Sequence, residues 1–331
     1  MCTAISDSSL HHLFGRTLDL EHRYGESVVV TPRRFPVHFL HTEAPLRHTA
    51  WIGMAHLRDG IPYYYDAMNE QGLSVAALNF PRDSVYRPVD PNRLNLASFE
   101  VIPWVLSHCD SIKAAVTALK SVNITADRAA ESLPPTPLHF LIADKTAAVV
   151  LESTETGIAV YENPFGVLTN SPPFPYHRDH LAEFLHVSSS PPENRLAPSL
   201  SLPPYSRGMG ACGLPGDYSS ASRFVRAVFL KENTAREREP YAAVNRFFHL
   251  LDAVSVPNGA AKTENGDSIR TIYASCMDSE CGCYFFTTYE NRRIRAVSFR
   301  DADLDSDTLT AFPLCDDTDV HFISPVNARK G

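Results

Sequence analysis

The chain reads as an α+β protein in which antiparallel strand blocks flank helical blocks, and three observations point there. Short strand-like runs dominate the first third and return in the last. Most are separated by gaps of hairpin length, which suits antiparallel pairing. The helical stretches come in blocks and do not alternate strand by strand, as a doubly wound parallel sheet would require.

The elements follow in order. TAIS, SVVVTP, TAWIGMAHL, PYYYDAM and LSVAALNF read as strands, with turn signals at Arg58–Gly60 and Asn69–Gly72. SFEVIPWVLSHC then reads as a helix with Pro103 in its first turn. A second helix spans Ser111–Val122, with apolar residues at Ile112, Ala115, Val116 and Leu119 and Ser111 as N-cap. Strands return with LHFLIAD and TAAVVLES around a turn at Asp144 and Lys145, then TGIAVYEN and FGVLTN. The Ser/Pro-rich stretch 187–207 reads as a surface excursion, because strand-rich sequence resumes beyond it. SSASRFVRAVFLKE, capped by Ser219 or Ser220, and YAAVNRFFHLLDAV supply two more helices, and IRTIYAS, YFFTTYE and IRAVSFR close the chain as strands.

Hydrophobic residues at 44% and charged residues at 21% are ordinary for a chain that buries a core. A net charge of -8 argues against nucleic acid as a partner, which usually calls for a basic stripe. No apolar run approaches the length of a membrane span, and the start of the chain lacks the pattern of a secretory signal. A cytoplasmic location with reduced cysteines is therefore expected.

The seven cysteines form no CxxC pair. The densest group, CMDSECGC at Cys276–Cys283, lies between two strand-like runs and has no histidine to complete a zinc set. It is read as a hairpin with incidental cysteines. His11 and His12 are adjacent, so on a strand they face opposite ways; both are read as surface residues. Patterns for dinucleotide, phosphate-loop, zinc-protease and hydrolase-elbow chemistry are absent, and neither a cofactor nor a metal is expected.

Cys2 directly follows the initiator methionine. Removal of Met1 would place a thiol and a free α-amino group on one residue. An α-amine has an ordinary pKa of about 7.7–8.0, so it is a base near working pH, attached to the nucleophile it would activate. On Cys2 alone, chance placement competes with this reading.

The wider pattern resolves that competition. MC at the start, FGRTLD at Phe14–Asp19, NEQGLSVAALNFP at Asn69–Pro81, VLTNSP at Val167–Pro172 and GLPGDYSSASRFVR at Gly213–Arg226 together resemble the choloylglycine hydrolase family, a branch of the N-terminal-nucleophile hydrolases. The resemblance covers nearly the whole chain. It implies a single domain over residues 1–331 with a four-layer αββα sandwich of two packed antiparallel sheets. It also implies that Cys2 is the nucleophile, Arg16 faces its sulfur and Asp19 its α-amino group. Asn79 and Asn170 would line the reacting carbonyl, and Arg223 would complete the polar network. Arg16 and Asp19 are three apart, so a bulge or strand end is expected between them if both reach one site.

Bile salt hydrolases and penicillin V acylases share this nucleophile. Asn79 in LNFP looks like the bile salt branch, where penicillin acylases tend to carry tyrosine. The resemblance therefore implies a conjugated bile salt as substrate, with penicillin V or an N-acyl homoserine lactone or fatty amide as alternatives and a non-catalytic binder as a further one. Met54, Tyr64, Tyr65 and Phe140 are candidates to line an apolar groove. Arg207, in SRG at Ser206–Gly208, is a candidate partner for the anionic end of the substrate and fits a taurine preference. A homo-oligomer, usually a tetramer in the family, is also implied.

Overall fold

The computed structural model describes residues 1–129, 135–314 and 317–324. In chain order the elements are β1 (Cys2–Asp7), β2 (Leu13–Leu20), β3 (Glu26–Thr31), β4 (Trp51–Arg58), β5 (Ile61–Asn69), β6 (Ser74–Asn79) and β7 (Leu94–Ala97). Helices α1 (Val101–His108) and α2 (Ile112–Leu119) follow, then β8 (Val122–Thr125), β9 (Leu138–Ala143), β10 (Ala148–Thr154), β11 (Gly157–Glu162) and β12 (Val167–Leu168). Next come α3 (Phe174–His180), α4 (Ser220–Asn233) and α5 (Pro240–Asp252). The last strands are β13 (Ala261–Lys262), β14 (Ser268–Asp278), β15 (Cys283–Thr288), β16 (Arg295–Ser298) and β17 (Thr310–Pro313).

Two large antiparallel sheets carry the fold. One has the order β12-β1-β2-β14-β15-β16, with β13 beside β14; the other runs β11-β10-β9-β6-β5-β4-β3-β17. A small parallel pair, β7 and β8, lies outside them. Helices α1 and α2 pack on β5, β6 and β10, while α4 and α5 pack on β1, β2, β12 and β14. The layers are thus helix, sheet, sheet, helix, as expected for an αββα sandwich.

Alternation in the strands builds the two cores. In β6, Ala76 and Leu78 enter the inter-sheet core with Phe14 and Met68. Val75 and Ala77 enter the helix-side core with Trp51, Trp104 and Ile112. Ser111 caps α2 by accepting from Ala114 N, and Ser219 caps α4 by accepting from Ser222 N, so each orphan amide finds a side-chain oxygen. Pro103 sits in the first turn of α1, and the stretch 187–207 forms no helix or strand.

Cys276 and Cys283 lie in the paired strands β14 and β15, with Cys281 in the turn, which is the hairpin the sequence suggested. One reading is corrected: His12 is not at the surface but buried, with Ser8 Oγ 3.0 Å from its Nδ1. The tight β1–β2 connection folds it inward, and that burial lowers its pKa to about 4.

Candidate active site

Cys2 opens β1 in the interior of the seven-stranded sheet and is 2% exposed. Its strand neighbours are β2 on one side and β12 on the other, and α4 packs across β1 and β12. Residues far apart in sequence therefore converge on the start of the chain.

Pairing sets Cys2 opposite Leu18 and Ala4 opposite Arg16, so the Cys2 and Arg16 side chains share a face. That face looks toward the other sheet. Arg16 Nη1 donates to the carbonyls of Tyr65 in β5, at 3.0 Å, and Ala77 in β6, while Nε donates to Thr17 O at 3.2 Å. Among the described residues the buried Nη2 has no hydrogen-bond partner, which leaves one guanidinium edge for an anionic sulfur or a substrate oxygen. Burial opposes the Arg16 charge, but the negative charge available at Cys2, Tyr273, Asp66 and Asp19 outweighs it and holds the guanidinium above its ordinary range.

Asp19 lies on the opposite face, beyond Cys2. Its backbone extends the ladder: Asp19 N donates to Met1 O at 3.0 Å, and the Met1 amine donates to Asp19 O at 2.7 Å. The carboxylate accepts from Thr17 Oγ1 at 3.2 Å and Thr271 Oγ1 at 2.7 Å. β2 stays in regular register with β1, so Arg16 and Asp19 flank the chain start from two faces of the sheet. The bulge falls in the neighbouring strand. Ile272 is an extra residue between Thr271, opposite Asp19, and Tyr273, opposite Leu18. Thr271 thereby reaches Asp19, while Tyr273 turns to the buried Asp66 of β5, which also accepts from Tyr284 at 2.6 Å.

Asn170, two residues past β12, is the hub. Its Oδ1 accepts from Cys2 N at 2.8 Å and from Arg223 Nη2 at 2.7 Å, and its Nδ2 donates to Asn79 O at 2.7 Å. Two donors at one end and an acceptor at the other fix the amide orientation. The backbone is held as firmly: Asn170 N donates to Ser220 Oγ at 2.8 Å, and His177 Nε2 donates to Asn170 O at 2.8 Å. Burial lowers the His177 pKa to about 4, so the imidazole stays neutral. Asn79 ends β6 half-buried, and among the described residues its side-chain amide has no hydrogen-bond partner.

Arg223 comes one turn after the Ser219 cap and is fully buried. It donates to Cys2 O, to Thr3 Oγ1 at 2.6 Å and to Tyr218 O at 3.0 Å. Burial lowers its pKa, against the pull of Asp19 and Cys2.

The proposed groove residues divide. Tyr65 is beside the site through its carbonyl on Arg16 and its ring against Tyr273, 6.5 Å between centroids. Met54 is fully buried in the inter-sheet core, opposite Asp66. Tyr64 and Phe140 face the α1–α2 core instead, and Tyr64 is held there by Thr31 Oγ1 at 2.6 Å. For Phe140 strand alternation is the reason, since it lies between the inward-facing His139 and Leu141 in β9. For Tyr64 the reason is a bulge in β5, where Tyr65 is an extra residue between Tyr64, opposite Ala55, and Asp66, opposite Met54. Neither lines the Cys2 side in this structure. Arg207 is exposed in the excursion and makes no ion pair among the described residues. Thr271, His177 and Ser220 escaped sequence reasoning, since each looks like ordinary strand or cap chemistry.

A helix–sheet–sheet–helix sandwich whose first strand opens on a buried cysteine between two buried arginines has the architecture of the N-terminal-nucleophile hydrolases. The comparisons narrow this. The chain belongs to the choloylglycine hydrolase family of linear amide C–N hydrolases, whose model matches residues 2–312. It is 41% identical over 95% of its length to a bile salt hydrolase/transferase of Lactiplantibacillus plantarum, covering 97% of that protein. It is 35% identical to a bile salt hydrolase/transferase of Clostridium perfringens, over 94% of this chain and 96% of that one. A crystal structure of a mutant conjugated bile acid hydrolase from Clostridium perfringens superposes with a TM-score of 0.89 at 33% identity, covering 98% of this chain and all of that one. Penicillin V acylase from Agrobacterium tumefaciens shares the fold, with a TM-score of 0.72 at 19% identity over 94% of this chain and 90% of that one.

Proposed function

We propose that the protein cleaves the amide bond joining a bile acid to glycine or taurine, with Cys2 as nucleophile once Met1 is removed. The carrying observation is the convergence of Asn170 and Arg223 on the Cys2 backbone while Arg16 presents a free guanidinium edge on the thiol side. The relatives that cover the chain end to end support the substrate class.

In the reaction, the α-amine of Cys2 takes the thiol proton and the sulfur attacks the amide carbonyl carbon. The carbonyl oxygen becomes an oxyanion, met by the unengaged Asn79 amide and the second N–H of Asn170 Nδ2. Collapse breaks the C–N bond; the amine of glycine or taurine leaves with the proton from the α-amine. Water then hydrolyses the thioester and frees the bile acid and the thiol. The Asp19 carboxylate stabilises the protonated amine between these steps.

The decisive experiment compares turnover of taurocholate, glycocholate, penicillin V and an N-acyl homoserine lactone by protein whose intact mass shows Met1 lost. Penicillin V turned over faster than both conjugates would move the assignment to the acylase branch. Full activity with Met1 retained would remove the α-amine from the mechanism. Arg207→Ala should lower taurocholate turnover more than glycocholate turnover if Arg207 meets the anionic end. The reading extends to a cytoplasmic homo-oligomer, the tetramer of the family. Exposed Leu196, Leu200, Leu202 and Tyr205 in the excursion favour self-association. Among the described residues no helix is long and apolar enough to cross a membrane.

A further inference from the structure

A buried histidine–carboxylate pair lies directly behind the two asparagines. His139 in β9 and Glu152 in β10 face each other one step beyond the Phe140–Leu151 strand pair, Nδ1 to Oε1 at 3.0 Å, and neither side chain is exposed. His139 Nε2 donates to Thr169 O at 2.9 Å, on the residue before Asn170. The Glu152 oxygens accept from Phe174 N at 3.0 and 3.2 Å, four residues past Asn170. The pair therefore pins both ends of the segment that carries Asn170. The other face of the imidazole stacks on Phe80, with centroids 4.2 Å apart and planes 7° from parallel, and Phe80 directly follows Asn79.

A buried polar pair is an expensive way to fill a core unless each of its groups finds a partner. Here both ring nitrogens and both carboxylate oxygens are spent on one task, fixing two backbone segments against each other. We infer that His139 and Glu152 are positioning residues for the amide hydrolysis: they hold the Asn170 segment through Thr169 and Phe174, and Asn79 through Phe80. The inference rests on the reading of Asn79 and Asn170 as carbonyl-facing groups. A displacement of about 1 Å at such groups can cost on the order of 100-fold in rate.

The test measures kcat and KM on glycocholate for His139→Gln, His139→Asn, Glu152→Gln and Asn170→Ala, with the rate of Cys2 alkylation by iodoacetamide for each. Gln places an amide N–H near the former Nε2 and keeps the bond to Thr169; Asn places it near Nδ1 and loses that bond. His139→Gln should therefore retain more turnover, losing roughly 5-fold in kcat against roughly 100-fold for His139→Asn. KM and the alkylation rate should stay within about threefold of the parent protein, because the thiol environment does not depend on the pair. Both His139 variants within twofold of parental kcat, or a matching collapse of the alkylation rate, would overturn the assignment. If neither His139 variant folds, the near-isosteric Glu152→Gln decides, with a kcat loss of at least threefold expected and parental kcat refuting. An undiminished kcat in Asn170→Ala would instead sink the parent reading of the site.

Discussion

Cys2 and Cys276 are both buried, both in strands of the seven-stranded sheet, and one strand apart, yet their surroundings are opposed. Burial and the negative charges of Asp278, Cys281 and Asp7 push the Cys276 thiol well above the ordinary range. Cys2 has Arg16 below it, Arg223 on its carbonyl and a carboxamide on its nitrogen. Burial among negative charges thus keeps a thiol protonated and inert; at Cys2 the same depth of burial is combined with fixed cations. Position at a strand end adds the other requirement, a backbone nitrogen that groups from both faces can reach.

The largest expected effect comes from removing the sulfur. Cys2→Ser should lower turnover by roughly a thousandfold or more, because a hydroxyl is far less ionised than a thiol, with circular dichroism unchanged. Serine activity within tenfold of the parent would erase the contrast between the two sites. Next is Asn79→Ala, expected to cost about 100-fold to 1000-fold in kcat, the usual worth of one oxyanion donor. A change confined to KM would show instead that Asn79 only binds substrate.

A third measurement applies the same burial rule to imidazoles. His12 and His177 are held down to about 4, against 6.5 in an unfolded chain. Unfolded protein therefore binds protons that folded protein refuses between those values, so the stability these two groups contribute is full above about pH 6.5 and is lost on acidification toward pH 4. Denaturant midpoints across that window should drop. His177→Asn should flatten the slope, and an unchanged slope would remove His177 from the balance. The smallest effect is at the other thiol: Cys276→Ser should leave kcat within about twofold while destabilising the fold by roughly 1–3 kcal/mol. A large activity loss there would break the comparison from the other side.

The residues of the candidate site could be picked out because they sit in short segments with distinctive spacing: Arg16 and Asp19 in FGRTLD, Asn170 in LTNSP, Arg223 behind a Ser219 cap. Most strands and helices followed from period and caps in the same way, while β2, β7, β8, β17 and the short α3 were not read from the sequence. Tyr64 and Phe140 show what spacing alone leaves open. Phe140 sits in a strand buried on both faces, so alternation gives two faces without saying which one meets Cys2, and Tyr64 precedes a bulge that no local pattern marks. His12 misled because a buried neutral histidine and a surface one look alike in sequence. His139, Glu152 and Thr271 acquire their roles only through partners 13 to 252 residues away, which no local pattern encodes.

The extra residue in β14 has a consequence for how the sheet tolerates change. A strand that shifts parity at Ile272 serves two clients: upstream of it Thr271 faces the helix layer and Asp19, and downstream Tyr273 and Ser275 face Asp66 between the sheets. Substitution at Ile272 alters packing, whereas deletion would put the two halves of the strand back in phase and cost one client or the other. Insertions and deletions near the hairpin turn are absorbed by the turn; one at this position is a frame error in the sheet.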